Sequence, residues 1–296
     1  MEIGFQSHTG EIASLLTAVC WTLSALFFQQ AGARVGSLSV NVIRIFLAVI
    51  LLGLTTLATR GMFFPSDATT YNWLWLGLSG VVGFFLGDLF LFKSYTIIGS
   101  RTSQLVMSLA PMITAVIGWL FLKEMLAAKS ILGIMVSISG IMIAIAGKRL
   151  RLHIPPRGFL YALGGAMGQA FGLILSKKGM GDYDAVAATQ IRAFFGLACF
   201  VVLVTALKRW RRVSQAATDI KSITPIALGS VFGPFVGVAL SLYAIKHTPT
   251  GVAATLMALV PIFIIVPSAI MFKEKITMRQ IVGAVIAVAG ASVFFL

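Results

Sequence analysis

The chain has 296 residues, of which 58% are hydrophobic and only 11% are charged, and its net charge is +14. A soluble domain carries about 25% charged residues, so this sequence has too few polar residues to cover the surface of a soluble protein. The composition therefore excludes a soluble fold and predicts an integral membrane protein. Nucleic-acid binding is not expected, because the positive charge is spread over short loops without a domain that carries it.

Long apolar runs are the main pattern along the chain. They are about 20 residues long and do not alternate with a period of two, which favours helices over the strands of a barrel. The sequence thus predicts an all-α integral membrane protein with ten transmembrane helices, each near the length that crosses about 30 Å of hydrocarbon. The predicted spans are residues 11–31, 38–58, 72–92, 102–122, 130–147, 158–176, 185–207, 223–244, 252–272 and 279–296.

No targeting or cofactor signal accompanies these spans. Residues 1–10 contain no Lys or Arg, so the first apolar run is expected to remain in the protein as a helix. Cys20 and Cys199 both fall in apolar runs and are interpreted as packing residues. No Cys or His cluster has the spacing of metal ligands, so neither a metal nor a cofactor is expected.

The two halves of the chain repeat one another. A proline and a Lys-Glu pair recur at an offset of 150 residues, and an arginine recurs at an offset of 148. The matching residues are Pro111 and Pro261, Lys123-Glu124 and Lys273-Glu274, and Arg44 and Arg192. Residues 1–150 and 151–296 are therefore predicted to be two five-helix repeats. Because five is an odd number, the second repeat should enter the membrane inverted, as in alternating-access transporters.

These motifs resemble those of the EamA family of the drug/metabolite transporter superfamily. The resemblance rests on the arginine early in each second helix, and on the Pro-centred helix that ends in Lys-Glu before a Gly-rich last helix. It covers essentially the whole chain. It implies ten helices, no tightly bound cofactor, and transport of small metabolites, amino acids or drugs. It also implies a central cavity lined mainly by the first, third and fourth helices of each repeat.

Three charged residues in the spans are candidates for function. Asp88 is the only carboxylate deep in a span, where it either contacts a substrate amine, exchanges protons, or forms a structural pair with Arg44 or Lys93. Arg44 either has such a structural role, extends to the headgroups, or attracts a substrate anion. Arg192 is the better candidate for a substrate anion, because no carboxylate lies in its neighbouring span.

The remaining candidates are polar, kinked or small. Trp21, Gln104 and Gln169 are interpreted, with Asp88 and Arg192, as residues of a substrate cavity. Pro111 and Pro261 are predicted to kink their helices and act as hinges, since proline removes a helix hydrogen bond. Glycine stripes predict close helix contacts. They are Gly83-x-x-x-Gly87, Gly229-x-x-x-Gly233-x-x-x-Gly237 and Gly164-x-x-x-Gly168-x-x-x-Gly172.

The distribution of charge predicts an orientation and a lipid preference. Six of the 23 Lys and Arg residues fall on the side of the N-terminus, fifteen fall on the opposite side, and two are in spans. The positive-inside rule then places both termini outside the cytoplasm, whereas the family resemblance implies the reverse. The net charge of +14 also fits loops that lie on anionic membrane lipids.

The combined pattern favours a secondary transporter or exporter in the cell membrane, with a small-molecule substrate and possible coupling to protons. One alternative is a membrane-embedded enzyme that acts on lipid-like substrates, and another is a scaffold without transport. An enzyme would need clustered acids or histidines, but Asp88 stands alone in the spans. A scaffold would not need an inverted repeat. No nucleotide-binding loop is present in the sequence, so direct drive by ATP is not expected.

Overall fold

The computed structural model describes residues 8–110, 112–114, 116–117, 128–145, 154–247, 253, 256–273 and 275–295. These residues form helices and turns, and none of them lies in a strand. The predicted hinge Pro111 and the Lys123-Glu124 motif lie outside this part of the chain, as does Glu274.

The described elements of the first repeat are all helical. Its elements are α1 (Thr9–Val35), α2 (Ser37–Arg60), α3 (Thr70–Ser79), a π-helix at Gly80–Gly87, α4 (Asp88–Met107) and α5 (Ala128–Ile145). The second repeat follows a similar order, with one additional short helix after its second long helix. Its elements are α6 (Pro156–Met180), α7 (Ala185–Ala206), α8 (Trp210–Thr218), α9 (Ile220–Ser230), a second π-helix at Val231–Gly237, α10 (Val238–His247), α11 (Val260–Phe263), α12 (Ile265–Phe272) and α13 (Met278–Phe295).

Length and hydropathy identify the membrane-crossing elements. Six described segments are long and apolar enough to span a bilayer, and three shorter apolar helices accompany them. The six are Thr9–Val35, Ser37–Arg60, Thr70–Met107, Pro156–Met180, Ala185–Ala206 and Ile220–Ser241. The shorter helices are Ile131–Ile145, Val260–Phe272 and Met278–Val293. The chain is therefore an all-helical integral membrane protein.

The third and fourth predicted spans are separated by a sharp turn at Gly99. This glycine interrupts α4 with a φ of +77°. Residues that have a Cβ rarely adopt this backbone conformation. After the turn the chain runs back along itself, since Gln104 Nε2 donates to the hydroxyl of Tyr95 at 3.0 Å. Ser94 and Ser103 are likewise joined by a hydrogen bond of 2.7 Å between their hydroxyls. The turn falls inside the predicted gap between residues 92 and 102.

Helices of one repeat pack against helices of the other. The first helix, α1, contacts α9, the second π-helix and α10, while α6 contacts α3, the first π-helix and α4. Glycines make the second contact possible. A Cβ built on Gly172 would lie only 2.7 Å from the Cα of Gly83, and Gly87 faces Gly168 in the same way. The prediction that these glycine stripes mediate close helix packing is confirmed.

The two interfaces between the repeats are equivalent. The hydroxyl of Ser24 on α1 donates to the carbonyl of Gly229 at 2.9 Å, and the hydroxyl of Ser79 donates to the carbonyl of Gly172 at 2.5 Å. Gly172 matches Ser24 at the offset of 148, and Gly229 matches Ser79 at the offset of 150. Reciprocal contacts of this kind are the mark of a two-fold axis, which here relates the two repeats approximately.

The last helices of the repeats, α5 and α13, cross in opposite directions. Gly140 of α5 contacts Gly283 near the start of α13, whereas Gly133, earlier in α5, contacts Gly290, later in α13. Residue numbers therefore rise along one helix as they fall along the other. Because the two helices are equivalent elements of the repeats, their antiparallel contact is the relation that inverted repeats require.

In both repeats a turn interrupts the span shortly before the equivalent prolines, Pro111 and Pro261. Residues Ser108 and Leu109 form a turn in the first repeat, as do Ala258 and Leu259 at the offset of 150 in the second. Pro261 itself lies in the first turn of α11. The span is thus interrupted directly before Pro261, where the missing N–H and the clash with the carbonyl four residues back are expected to disturb a helix, and the hinge role of this proline stays a prediction.

Candidate substrate site

A cavity of about 180 Å³ lies between the two repeats. Four pairs of equivalent residues, one member from each repeat, line it. The pairs are Trp21 and Gln169, Ile45 and Ala193, Phe84 and Pro234, and Asp88 and Val238. The cavity therefore lies on the approximate two-fold axis. This is the position at which transporters built from inverted repeats hold their substrates.

Asp88 forms a buried ion pair with Arg44 at one side of the cavity. The carboxylate accepts a hydrogen bond from the guanidinium Nη2 of Arg44, and the two residues are only 4% and 8% exposed, respectively. Gln169 Nε2 donates to the second carboxylate oxygen at 3.1 Å. Of the alternatives predicted for Asp88, the pair with Arg44 is the one observed, and Lys93 is exposed instead.

The backbone and aromatic rings hold this ion pair in place. Asn41 Nδ2 donates to the backbone carbonyl of Asp88 at 3.3 Å, and its Oδ1 accepts from Arg44 Nε at 3.2 Å. The guanidinium carbon of Arg44 lies 4.5 Å from the ring centroid of Phe92 and 5.6 Å from that of Phe28. Cation–π contact adds to the ion pair in a site with little water. Both charges are thus compensated, which a buried pair requires.

Arg192 is equivalent to Arg44, but no described carboxylate lies within ion-pair distance of it, and Asp88 acts on it only from farther away. Its guanidinium carbon lies 4.5 Å from the ring centroid of Phe84, and its Nε is buried without a hydrogen-bond partner. Val238 occupies the place that Asp88 has in the first repeat. Arg192 does not line the cavity as predicted, because the ring of Phe84 lies on the cavity wall and Arg192 contacts that ring.

The other predicted cavity residues are brought together by the fold. Trp21, Gln104 and Gln169 all line the cavity with Asp88. The second helix contributes more than the family resemblance implied. In addition to Arg44, the cavity is lined by Ile45, Ala48 and Leu52 of α2 and by Thr189 and Ala193 of the equivalent α7.

Sequence reasoning missed two features of the site. Tyr95 lines the cavity, and its hydroxyl accepts a hydrogen bond from Gln104. The two residues come together because the chain reverses its direction at Gly99. The two π-helices also went unrecognised, although each ends directly before Asp88 or Val238. A π-helix widens one turn and redirects the residues that follow. Pro234 inside the second π-helix was the one available signal, since proline disfavours a regular α-helical turn.

The described residues contain no group of three His, Cys, Asp or Glu side chains that could hold a metal ion. Together, the fold and the cavity define a polytopic helical membrane protein whose small cavity lies between two repeats. The sequence model of the EamA-like transporter family matches residues 8–146 and 156–296, one copy for each repeat. The chain therefore belongs to the EamA-like transporter family, which is a family of transporters and not of enzymes.

Comparison with solved structures supports the same fold. One match, described only as the crystal structure of a protein, has a TM-score of 0.62 and 16% sequence identity, and the alignment covers 96% of this chain and 95% of that one. At this level of identity the likeness concerns the fold alone. Comparison with curated proteins gives no match.

Proposed function

We propose that the protein is a secondary transporter that moves a small metabolite across the cell membrane by alternating access. In this mechanism ten transmembrane helices form two inverted five-helix repeats, and the repeats exchange conformations around a fixed site. The observation that carries the proposal is the position of the cavity on the approximate two-fold axis, with equivalent residues of both repeats on its wall. Exchange of the two conformations would then open the same residues to either side.

The substrate we propose is a small organic molecule that carries an anionic group and an apolar or aromatic part, such as an amino acid. The charges around the cavity support an anion, since the two cations Arg44 and Arg192 exceed the single carboxylate of Asp88, which is paired with Arg44. Trp21 and Phe28 supply aromatic surface. The volume of about 180 Å³ is below the 300–1,000 Å³ that is typical of sites for drug-sized ligands, and it favours a small metabolite.

Orientation and coupling belong to the same proposal. The fifteen Lys and Arg residues opposite the N-terminus support a cytoplasmic location for that side. Impermeant maleimide labelling of Arg157→Cys and Ser66→Cys, in a chain without Cys20 and Cys199, tests this location. Labelling of Arg157→Cys from outside intact cells would reverse the orientation. Protons are the coupling ion we propose, with Asp88 as the group that exchanges them.

Purified protein in liposomes tests the transport function directly. Uptake of amino acids, nucleobases and cationic drugs would be measured with and without a pH gradient. We expect saturable uptake of one anionic or zwitterionic class, and no uptake into protein-free vesicles. If vesicles with and without the protein take up every compound at the same rate in both directions of the gradient, the transport proposal is wrong.

A further inference from the structure

A second cavity lies on the face of the protein opposite the N-terminus. Its volume is about 290 Å³, and it lies where the start of α2, the end of the third span and the amphipathic helix α8 meet. Three cations line it, namely Lys93, Arg209 and Arg212, and no carboxylate lines it. Cavity walls of one charge sign concentrate ligands of the opposite sign.

The three cations have no ion-pair partner in the described part of the chain. No described carboxylate lies within ion-pair distance of Lys93, Arg209 or Arg212. The nearest acidic residue along the chain, Asp219, is bound elsewhere by Arg34 at 3.6 Å. A hydrogen bond from Ser222 is the largest cause that lowers the pKa of Asp219 below its ordinary value, so this carboxylate remains ionised and engaged with other partners.

Hydrogen-bond donors in the wall complete an anion site. The helix α2 begins at Ser37 after Gly36 with no side-chain cap, so its first backbone N–H groups have no partner within the helix. Ser39 lines the same cavity, is only 4% exposed, and makes no hydrogen bond through its hydroxyl in the described structure. A helix N-terminus with a buried hydroxyl and arginines at hand binds phosphate oxygens well.

The surroundings of the cavity identify the source of the phosphate. The helix α8 connects two membrane spans, buries Val213 and Ala216, and turns Arg211 and Arg212 outward. Three large apolar residues are exposed here: Trp210 at the start of the helix, and Leu207 and Ile220 on either side of it, of which Ile220 is 75% exposed. A short amphipathic helix with exposed Trp and basic residues lies in the headgroup region of a bilayer. There the available phosphate belongs to lipids.

We infer that this cavity binds the phosphodiester headgroup of one anionic phospholipid. The phosphate oxygens accept hydrogen bonds from Arg209, Arg212 and Ser39, and Lys93 contributes charge. The acyl chains extend beside the exposed apolar residues that flank α8. The bound lipid fixes α8 against the start of α2, and α2 carries Arg44 of the substrate site.

The test measures retention of lipid by the intact protein. The full-length chain is extracted from vesicles made of equal parts phosphatidylcholine and phosphatidylglycerol, and native mass spectrometry counts the lipid that remains bound. We expect one retained phosphatidylglycerol. Arg209→Gln and Arg212→Gln should each weaken its retention about tenfold or more, because a charge-assisted hydrogen bond to phosphate contributes at least that much.

Arg211→Gln is the matched control, because it removes the same charge from the same helix but does not line the cavity. Its retention should change less than about twofold at physiological salt, where exposed charges are screened. Equal losses in Arg211→Gln and Arg212→Gln would overturn the proposal in favour of a diffuse basic surface. Inorganic phosphate could instead stabilise the detergent-solubilised protein against unfolding while phosphatidylglycerol is not preferentially retained. That result would overturn the proposal that the phosphate belongs to a lipid. Ser39→Ala, which keeps all charges, should weaken retention by a smaller factor.

Discussion

The hydroxyl of Ser137 donates to the backbone carbonyl of Ala287 at 2.8 Å, and these two residues occupy the same position in their repeats, 150 residues apart. A residue that contacts its own equivalent lies on the axis that relates the two copies. The approximate two-fold axis therefore passes between α5 and α13 at this point. It also passes through the cavity, whose wall consists of equivalent pairs.

Gly140→Val should destabilise the contact between α5 and α13. A Cβ at this position would fall on the backbone of Ala287 and on the carbonyl of Gly283, so the helices would have to separate. Overpacking of this kind costs about 1–3 kcal/mol of unfolding free energy. Unfolding in mixed micelles would measure the change. Ser139→Val, on the exposed face of the same helix, is the control and should have little effect. Equal stability of both variants would mean that the contact adapts freely.

Breaking the Arg44–Asp88 pair should cost more than removing it. Arg44→Met or Asp88→Leu alone leaves one buried charge without its partner, for which we expect a loss of about 3–5 kcal/mol. The double variant removes both charges and should recover a large part of that loss. Unfolding of the two single variants and the double variant forms a thermodynamic cycle. Strictly additive losses would show that the two residues are not coupled.

Asp88→Asn tests the proposed proton coupling. The amide keeps the size of the side chain and can still accept a hydrogen bond from Gln169, but it cannot bind and release a proton. We expect the variant to fold and to lose the part of its transport that a pH gradient drives. Uptake into liposomes with and without the gradient measures this. The same gradient dependence in variant and wild type would make Asp88 a structural residue.

Arg192→Gln should weaken the binding of an anionic substrate. Removal of the positive charge of Arg192 next to the cavity should raise KM about tenfold while kcat changes little, since ground state and transition state lose the same attraction. Arg192→Lys should keep part of the affinity. Arg157→Gln removes an exposed charge far along the chain and serves as the control. A neutral analogue of the substrate that loses as much affinity would show that Arg192 acts through packing.

Pro261→Ala should slow transport about tenfold and leave substrate affinity nearly unchanged. Alanine supplies an N–H that lets the helix continue through the turn at Ala258 and Leu259, which removes the bend where we expect motion. Pro267→Ala in the same span is the control. Pro111→Ala is the matching variant of the first repeat, where the turn at Ser108 and Leu109 is equivalent. The accessibility of cysteines placed at the two mouths of the cavity should shift toward opposite sides of the membrane in the two variants. Transport rates and accessibilities equal to those of the wild type in both variants would refute the hinge.

A polar cluster on the side of the N-terminus links the loops of the two repeats. Tyr183 donates to Asp67 at 2.8 Å, and Arg60 donates to both Tyr183, at 3.3 Å, and Asp67. Partial burial alone would raise the pKa of Asp67, but the hydrogen bonds from Tyr183 and Arg60 bring it below its ordinary value of 3.8. The cluster loses its negative charge only as the pH falls through this lowered pKa of Asp67. Its hydrogen bonds are therefore expected to remain formed between pH 5 and 8.

Asp67→Asn should therefore open this side of the protein. A pair as exposed as this one contributes about 0.2–1 kcal/mol, so we expect the accessibility of the cavity from the N-terminal side to increase by a factor of about 1.4 to 5. Labelling of Ala48→Cys, in a chain without other cysteines, measures the accessibility. Asp182→Asn makes the same charge change in the neighbouring loop and should have no effect. A wild-type labelling rate in Asp67→Asn would show that the cluster does not hold the two loops together.

Hydropathy and recurring residues were enough to predict the class of fold and the two repeats. The ion pair of Asp88 with Arg44 was one of several predicted alternatives, and the structure contains it. It could be predicted because a buried carboxylate needs a cation, and only Arg44 and Lys93 were expected nearby. The position of Arg192 behind Phe84 depends on side-chain rotation, which a sequence does not encode locally. The π-helices escaped because hydropathy does not report the width of a helical turn. The helix α8 lies between the predicted spans 185–207 and 223–244, and its nine residues are too few to give the long apolar run by which spans are recognised.

The reciprocal bonds of Ser24 with Gly229 and of Ser79 with Gly172 have a genealogical consequence. Each bond joins a serine of the first repeat to a glycine of the second, although Ser24 lies on α1 and Ser79 lies just before the π-helix. The close approach of the two backbones therefore occurs at both interfaces, whereas the serine is present in only one of the two repeats. Two identical five-helix chains, inserted in opposite directions, could form the same interface as a homodimer. In such an ancestor every substitution would appear twice. Fusion into one chain is what allows an acidic residue at position 88 to face a valine at position 238.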